Sequence, residues 1–267
     1  MWIFSSRETG SNPSKLLSPD PQYLFHNWTI SFGSDSDFPV PYGRYKEDVA
    51  EVPLNDKRNW AMGKTRLVAW IASNCNKTSW ERTHFVKNLT NLIQVDTYGA
   101  CGTHDCPRGT TKCWDIVYSY KFYLALENSE CDDYITEKFW IQALQHNSVP
   151  IVYGTTRKDY EKVAPPNSFI HLSDFGSMTS LADRIKYLDK NDTAYNEYFN
   201  WKKRGSVEFF SEDDVPSTTE LCAIVRKLKE IDEMKKTAKG RSLQIVSKVE
   251  EWVKCHHLPS PWTSVVK

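Results

Sequence analysis

The sequence of 267 residues predicts an α/β fold on a parallel sheet, and three observations carry that expectation. A strand, helix, strand succession runs through residues 121–154, with connections so short that the two strands are parallel neighbours joined by a right-handed crossover. A buried-strand run, Leu67-Val68-Ala69-Trp70-Ile71, precedes it and is followed by a polar, turn-like segment and an amphipathic stretch. The composition, 40% hydrophobic and 25% charged, is that of an ordinary globular chain and argues against disorder.

The elements follow in order. Residues 1–63 carry short apolar runs broken by Pro13, Pro19, Pro21, Pro39, Pro41 and Pro53, which reads as a loop-rich, partial domain. From Arg66 the texture changes. After the Leu67 strand, Ser73–Ser79 is polar, and a helix is predicted over about Trp80–Asn91, with Phe85, Leu89 and Leu92 at helical spacing. Ile93-Gln94-Val95-Asp96 reads as the next strand. Phe122–Leu126 is a strand, Glu127–Asp133 a polar loop, and Thr136 precedes a helix carrying Phe139, Trp140, Ala143 and Leu144 on one side. Asn147 ends that helix before the strand Val149–Tyr153. Phe169-Ile170-His171 and a helix over Leu181–Leu188 form one more unit. Beyond about residue 236 the chain turns basic and then helical. No internal repeat is visible. The expected organisation is a partial domain over 1–63, a nucleotide-binding domain over 64–235 and a helical tail over 236–267.

Lysine plus arginine and aspartate plus glutamate balance at 34 each, so nothing points to nucleic acid or another polyanion. The aromatic content, with Trp 10 and Tyr 13, suits the apolar faces of sugar rings and equally suits a core. No stretch approaches the roughly 20 apolar residues that span a bilayer, and the first residues show no cleavable signal. Taken alone, those two facts describe a cytosolic protein. Two others contradict them. Asn-x-Ser/Thr triplets stand at Asn27, Asn76, Asn88 and Asn191. Cysteines cluster at Cys101, Cys106 and Cys113, with Cys131, Cys222 and Cys255 beyond. Zinc is the rival explanation of that cluster, but its spacings miss the usual knuckle and its flanks read as a loop. Disulfides in an oxidising compartment are favoured, and the odd total of seven leaves at least one thiol free. The expectation is a secretory protein whose membrane anchor and stem lie outside this sequence.

In such sheets ligands bind beyond the carboxyl ends of the strands. The loop Asn128–Tyr134 and the helix start Thr136-Glu137-Lys138 occupy that place. A helix N-terminus offers free N–H groups and partial positive charge, which suits a diphosphate. Lys138 in the first turn runs against the usual preference for acids there, a misfit that phosphate binding would explain and that a merely solvated lysine would share.

These segments carry a specific resemblance. Tyr123-Leu124-Ala125-Leu126-Glu127-Asn128-Ser129, Asp133-Tyr134-Ile135-Thr136-Glu137-Lys138 and Val149-Pro150-Ile151-Val152-Tyr153-Gly154 resemble the signature of the α-1,3-fucosyltransferases, glycosyltransferase family ten. The likeness extends upstream through Asn27-Trp28-Thr29-Ile30, Asp35-Ser36-Asp37, Val40-Pro41-Tyr42-Gly43 and Leu67–Trp70 with Ser73-Asn74. Downstream it includes Pro165–Ile170 and Asp174-Phe175, so that it covers about Trp2 to Trp201.

The resemblance implies a GT-B-like fold of two Rossmann-like domains, the N-terminal one incomplete in this chain. It implies an inverting enzyme that moves L-fucose from GDP-fucose in α-1,3 linkage to an N-acetylglucosamine-containing glycan, needs no bound metal or other cofactor, and works in the Golgi lumen as part of a type II membrane protein. Lys138 and Arg82 match the family's two cations on the GDP diphosphate. Asn128, Tyr134 and Glu137 match its donor-contacting residues, with Glu137 suited to the ribose diol. Glu8 matches its general base, although Arg7-Glu8-Thr9-Gly10 stands where the family usually has Phe-Glu-Ser-Pro. The Asp35-Ser36-Asp37 triplet looks like the manganese site of the other glycosyltransferase fold, but the family carries it without that use. Asp132-Asp133 read as loop and capping residues, His84 as a packing or surface histidine, and His256-His257 beside Cys255 lack identifiable partners for a metal. The alternative expectation is a fucosyltransferase-like protein of weak or no activity that binds GDP or a glycan.

Overall fold

The computed structural model describes residues 3–9, 25–26, 28–47, 58–106, 116–210, 222, 224–230, 247–248 and 255. The chain divides into two units, one of Met1–Tyr42 with Phe210–Cys255 and one of Gly43–Phe209 with His256–Lys267.

In the first unit β1 (Ile3–Ser6), β3 (Trp28–Ser31) and β4 (Phe38–Pro39) form a parallel sheet in the order β1-β3-β4. Between β1 and β3 in the chain, β2 (Phe25–His26) pairs antiparallel with Ser247–Lys248. That short strand is the described part, with Cys255, of the tail expected to be helical; the rest of that tail lies outside the described residues. Trp28, Ile30, Phe38 and Val40 make a small core with Ile224 against it. The Asp35-Ser36-Asp37 triplet belongs to this architecture. Asp37 accepts hydrogen bonds from the Thr29 N–H at 3.0 Å and hydroxyl at 3.2 Å, and pairs with Lys227 at 2.7 Å. The Ser36 hydroxyl donates to the Thr29 carbonyl. Asp37 is thus committed to a turn and to an ion pair with Lys227.

The second unit opens with β5 (Gly43–Glu47), paired antiparallel with Gly205–Phe209. Its centre is a five-stranded sheet of β6 (Arg66–Ile71), β7 (Val95–Tyr98), β8 (Tyr120–Leu126), β9 (Val149–Tyr153) and β10 (Ile170–His171), ordered β10-β9-β8-β6-β7. Every pairing in it is parallel. All seven residues of β8 are buried, as a central strand covered on both faces requires. Helices α1 (Arg82–Leu89), α2 (Lys138–Gln145), α3 (Arg157–Val163), α4 (Met178–Lys190) and α5 (Asp192–Asn196) complete the unit.

The sheet matches the expected strands closely, and two helices differ from expectation. Helix α1 is shorter: it ends at Leu89, so Leu92 falls outside it and is partly exposed. Helix α2 buries Phe139, Trp140, Ala143 and Leu144 as the periodicity predicts, but it is wound as a π-helix and also buries Gln142. The Gln142 amide oxygen accepts from the Tyr123 hydroxyl of β8, so a polar residue is satisfied inside an apolar interface. Such wide turns are rare and gather at functional sites. Asn147 ends α2 with a positive φ of 56°, a conformation asparagine tolerates better than most residues.

Two half-buried lysines make this unit sensitive to pH. Lys64, just before β6, donates to the His146 carbonyl at 3.1 Å, and Lys202 donates to the Asn147 side-chain oxygen at 2.6 Å. Lys202 also lies over the rings of Trp60 and Trp201. Burial, then the like charge of Lys202, pulls Lys64 down to about 7; burial, then Arg58, pulls Lys202 down to about 8. A lysine depressed in the folded state binds fewer protons there than in the unfolded chain, so stability rises with pH across that window. Denaturation between about pH 7 and about pH 10, from the folded values up towards the ordinary lysine value, is expected to show that rise, and Lys64→Met to flatten part of it. An identical slope in the variant would reject the assignment to Lys64.

Candidate active site

The chain passes from β6 outward to β7 and then returns to the other side of β6 as β8. The connections beyond the carboxyl ends of β6 and β8 therefore diverge, and the crevice between them is where open parallel sheets bind ligands. The two connections are residues 72–81, leading to α1, and 127–137, leading to α2.

Hydrogen bonds join these two loops. Ser79 N–H donates to the Asn128 carbonyl at 2.9 Å, and the Ser79 hydroxyl accepts from Glu130 N–H at 2.7 Å. The Trp80 indole donates to the Glu127 carbonyl at 2.9 Å. Arg82 spans the same gap. Its guanidinium, only 2% exposed, donates to the Leu126 carbonyl at 2.7 Å and to the Asn74 carbonyl at 2.8 Å. One nitrogen of Arg82, Nε, is buried without a partner, as is Oδ1 of Asn128. Burial pulls the guanidinium below its ordinary value against the opposing charge of Glu127. Arg82 stays protonated all the same, because its ordinary value lies so far above neutrality.

Lys138 sits at the start of α2 beside the carboxylate of Glu127, which the sequence predicts as the first residue of a polar loop. Glu127 is fully buried. Its carboxylate accepts from the Thr136 N–H and hydroxyl, both at 2.8 Å, and from Lys138 Nζ at 3.0 Å. Lys138 Nζ also contacts the Thr136 hydroxyl at 2.8 Å and Glu137 at 3.3 Å. Burial would lower the Lys138 ammonium, but Glu127 and then Glu137 outweigh it and hold the group up at about 12. Burial pushes the Glu127 carboxyl up against the pull of Lys138. At Glu137 burial also pushes up, but Lys138 and the local hydrogen bonds leave that carboxyl below its ordinary value. The cation is thus fixed in position and in charge across the neutral range.

The Glu127 carboxylate abuts the end of an apolar central strand and is shielded from water. Gly154 makes room for it. At φ +137° and with any Cβ placed 2.4 Å from the Glu127 Cβ, that position excludes every other residue. The Gly154 carbonyl accepts from the Cys131 N–H, and the Glu127 N–H donates to the Tyr153 carbonyl.

Of the expected donor-binding residues, Arg82, Asn128, Tyr134, Glu137 and Lys138 all lie on these two connections and the helix starts that follow them. Tyr134 is 2% exposed, and its charge interaction with Arg82 places it near that guanidinium. Glu137 is partly exposed, its side chain at 37%. Glu8 belongs to the other unit. It is exposed in the turn after β1, where the Ser6 hydroxyl bonds its N–H and carbonyl, each at 3.1 Å. Its neighbour Arg7 anchors that turn by donating to the Pro41 and Phe210 carbonyls and stacking over Tyr42, whose hydroxyl donates back to the Arg7 carbonyl. His84 is half-exposed beside Glu81, a surface position.

The expected disulfides are present. Cys75, which the sequence reading did not single out, bonds Cys101 across 26 residues and ties the loop after β6 to the loop after β7. Cys106, Cys131 and Cys255 are also disulfide-bonded, and Cys222 is free and exposed. Among the described residues no helix is long and apolar enough to cross a membrane.

Comparison with known proteins agrees with this geometry. Residues 61–251 match the family model "Glycosyltransferase family 10 (fucosyltransferase) C-term". The chain is 43% identical over 188 residues to glycoprotein 3-alpha-L-fucosyltransferase A of Drosophila melanogaster, covering 69% of this chain and 37% of that protein. It is 38% identical over 211 residues to alpha-(1,3)-fucosyltransferase fut-1 of Caenorhabditis elegans, covering 78% and 47%. A crystal structure of alpha1,3-fucosyltransferase with GDP-fucose superposes with a TM-score of 0.52 at 22% identity, covering 74% of this chain and 65% of that one. That likeness shows the α/β, GT-B-type fold expected above. The chain spans about half the length of the curated relatives it matches. With the family model matched over most of its length, the chain belongs to glycosyltransferase family 10, the fucosyltransferases.

Proposed function

We propose that the chain transfers L-fucose from GDP-fucose in α-1,3 linkage to N-acetylglucosamine of a protein- or lipid-linked glycan, with inversion at the anomeric carbon. One observation carries the reading: a charged lysine held rigidly at the sheet's switch point, where a nucleotide diphosphate belongs. In this reading residues 64–235 carry the donor side, and residues 1–63, which include Glu8, carry the acceptor side.

The leaving group is a nucleoside diphosphate and needs charge stabilisation more than a proton. Lys138 supplies it as a fixed positive charge, and Arg82 adds to the positive potential from beneath the loops; preorganised charge of this kind is often the largest part of catalysis. Glu137 hydrogen-bonds the ribose diol, and Asn128 and Tyr134 complete the donor contacts. The acceptor hydroxyl loses its proton to Glu8 as the fucosyl group passes through an oxocarbenium-like state, a contribution of roughly 10²–10⁴ in rate. Attack on the face opposite the diphosphate inverts the centre, as in inverting glycosidases. With cations supplied by the chain itself, no metal is required. The disulfides fit work in the Golgi lumen, an oxidising setting.

The test is transfer from GDP-fucose to N-acetyllactosamine and to a core N-glycan, with and without EDTA, for wild type and Glu8→Gln. The expected result is turnover that EDTA leaves unchanged and Glu8→Gln lowers by about 10²–10⁴. Stabilisation by GDP on heating with no transfer to either acceptor would favour a donor-binding protein without turnover.

A further inference from the structure

The Asn-x-Ser/Thr triplets are unequal once their surroundings are known. Asn88 lies half-buried within the last turn of α1, and its carbonyl accepts from Asn91 N–H. Asn191 caps α5: its side-chain oxygen accepts from Ala194 N–H at 3.0 Å and its amide nitrogen donates to the Tyr187 hydroxyl at 3.0 Å. A sugar on that nitrogen would break a cap. Asn27 lies outside the described residues.

Asn76 is different. It is exposed at the tip of a turn that closes without it. Asn74 clamps the turn from inside, its side-chain oxygen accepting from Lys77 N–H at 3.1 Å and its nitrogen donating to the Lys77 carbonyl at 2.7 Å. The Cys75 carbonyl accepts from the Thr83 hydroxyl, and the Cys75–Cys101 disulfide fixes the base of the turn. The Asn76 amide takes part in none of these bonds. Lys77 in the middle of the triplet is permissive, since only proline is excluded there.

We propose that Asn76 carries an N-linked glycan. The donor is an oligosaccharide on a polyprenyl pyrophosphate. A bond forms between the Asn76 amide nitrogen and the anomeric carbon of the first N-acetylhexosamine, the bond from that carbon to the pyrophosphate oxygen breaks, and polyprenyl pyrophosphate leaves with the electron pair. The amide gives up one proton to the transferase. The adjoining disulfide marks the chain as one that matures in the compartment where this chemistry occurs. The glycan then stands on the turn whose Asn74 carbonyl holds Arg82, pointing to solvent and leaving the donor contacts intact. The assignment rests on the exposure and bonding of this turn and does not depend on the transferase reading.

The experiment secretes the full chain from animal cells and removes N-glycans enzymatically in heavy-oxygen water, which labels each residue that had carried one. The peptide containing position 76 is expected to be labelled. Asn76→Gln and Thr78→Ala are each expected to lose one glycan's worth of gel shift, while Asn191→Gln and Asn88→Gln keep it. An unlabelled position 76 in the secreted, disulfide-bonded wild type overturns the proposal, and that reading needs no variant to fold. So does loss of the shift in Asn191→Gln with retention in Asn76→Gln. Donor-side stabilisation by GDP in Asn76→Gln is expected to equal that of wild type.

Discussion

Replacing Lys138 with alanine is expected to lower kcat/KM for GDP-fucose by about 10²–10³, the loss typical of removing one preorganised group that faces developing charge. The same substitution leaves Glu127 fully buried with its cation gone, and an uncompensated buried charge costs about 3–5 kcal/mol. A single variant therefore mixes a catalytic effect with a folding effect. Combining Lys138→Ala with Glu127→Gln separates them. The glutamine keeps an oxygen for the Thr136 N–H and hydroxyl and removes the orphaned charge. The double variant should recover most of the melting temperature lost by Lys138→Ala and none of its activity. Recovery of activity along with stability would mean that Lys138 serves only the fold, and the diphosphate role would be lost. Lys138→Arg is a useful third arm, because a planar fork does not fit between Thr136 and the two glutamates as a compact ammonium does.

Much of this pair was legible in the sequence, but only one half of it. Lys138 stood out because a cation in the first turn of a helix contradicts the helix dipole. Glu127 did not, because a glutamate following a strand reads as the first residue of a solvated loop. Its meaning comes from β9 and Gly154, which close over it from a neighbouring strand and which no local pattern connects to residue 127. The same contrast runs through the fold. Strands β6, β8 and β9 announce themselves as uninterrupted apolar runs, since a parallel strand covered on both faces has no polar side. The winding of α2 does not, because a π-turn changes hydrogen bonding while keeping nearly the same apolar face. The pairing of Cys75 with Cys101 was hidden by sequence distance: the cluster near residue 101 drew attention to itself, and its partner lay 26 residues upstream on the loop after the neighbouring strand β6. Arg82 shows the limit most clearly. A resemblance assigns it to the diphosphate, while the bonds it makes in the fold are to main-chain carbonyls on both sides of the switch point.

That dual position yields the second large effect. Arg82→Lys keeps the charge but replaces a fork by a point donor, which cannot reach the Leu126 and Asn74 carbonyls together. Leaving one buried carbonyl unsatisfied costs about 1–3 kcal/mol, and each kcal/mol lowers the melting temperature of a domain of this size by roughly 2–4 °C. The variant is expected to melt lower even without nucleotide. Because one of the ties between the loop after β6 and the end of β8 is then lost, with the Ser79 and Trp80 bonds remaining, donor affinity should fall as well, so that KM for GDP-fucose rises more than kcat declines. Saturating GDP should restore part of the lost melting temperature, since a ligand that binds only the joined arrangement favours it by mass action. A wild-type melting temperature in the absence of GDP would reject the clamp and return Arg82 to the simpler role of a ligand contact. The clamp reading also explains why the guanidinium is buried at all: a side chain acting on ligand alone gains nothing from losing its water before the ligand arrives, whereas one that joins two loops must be between them.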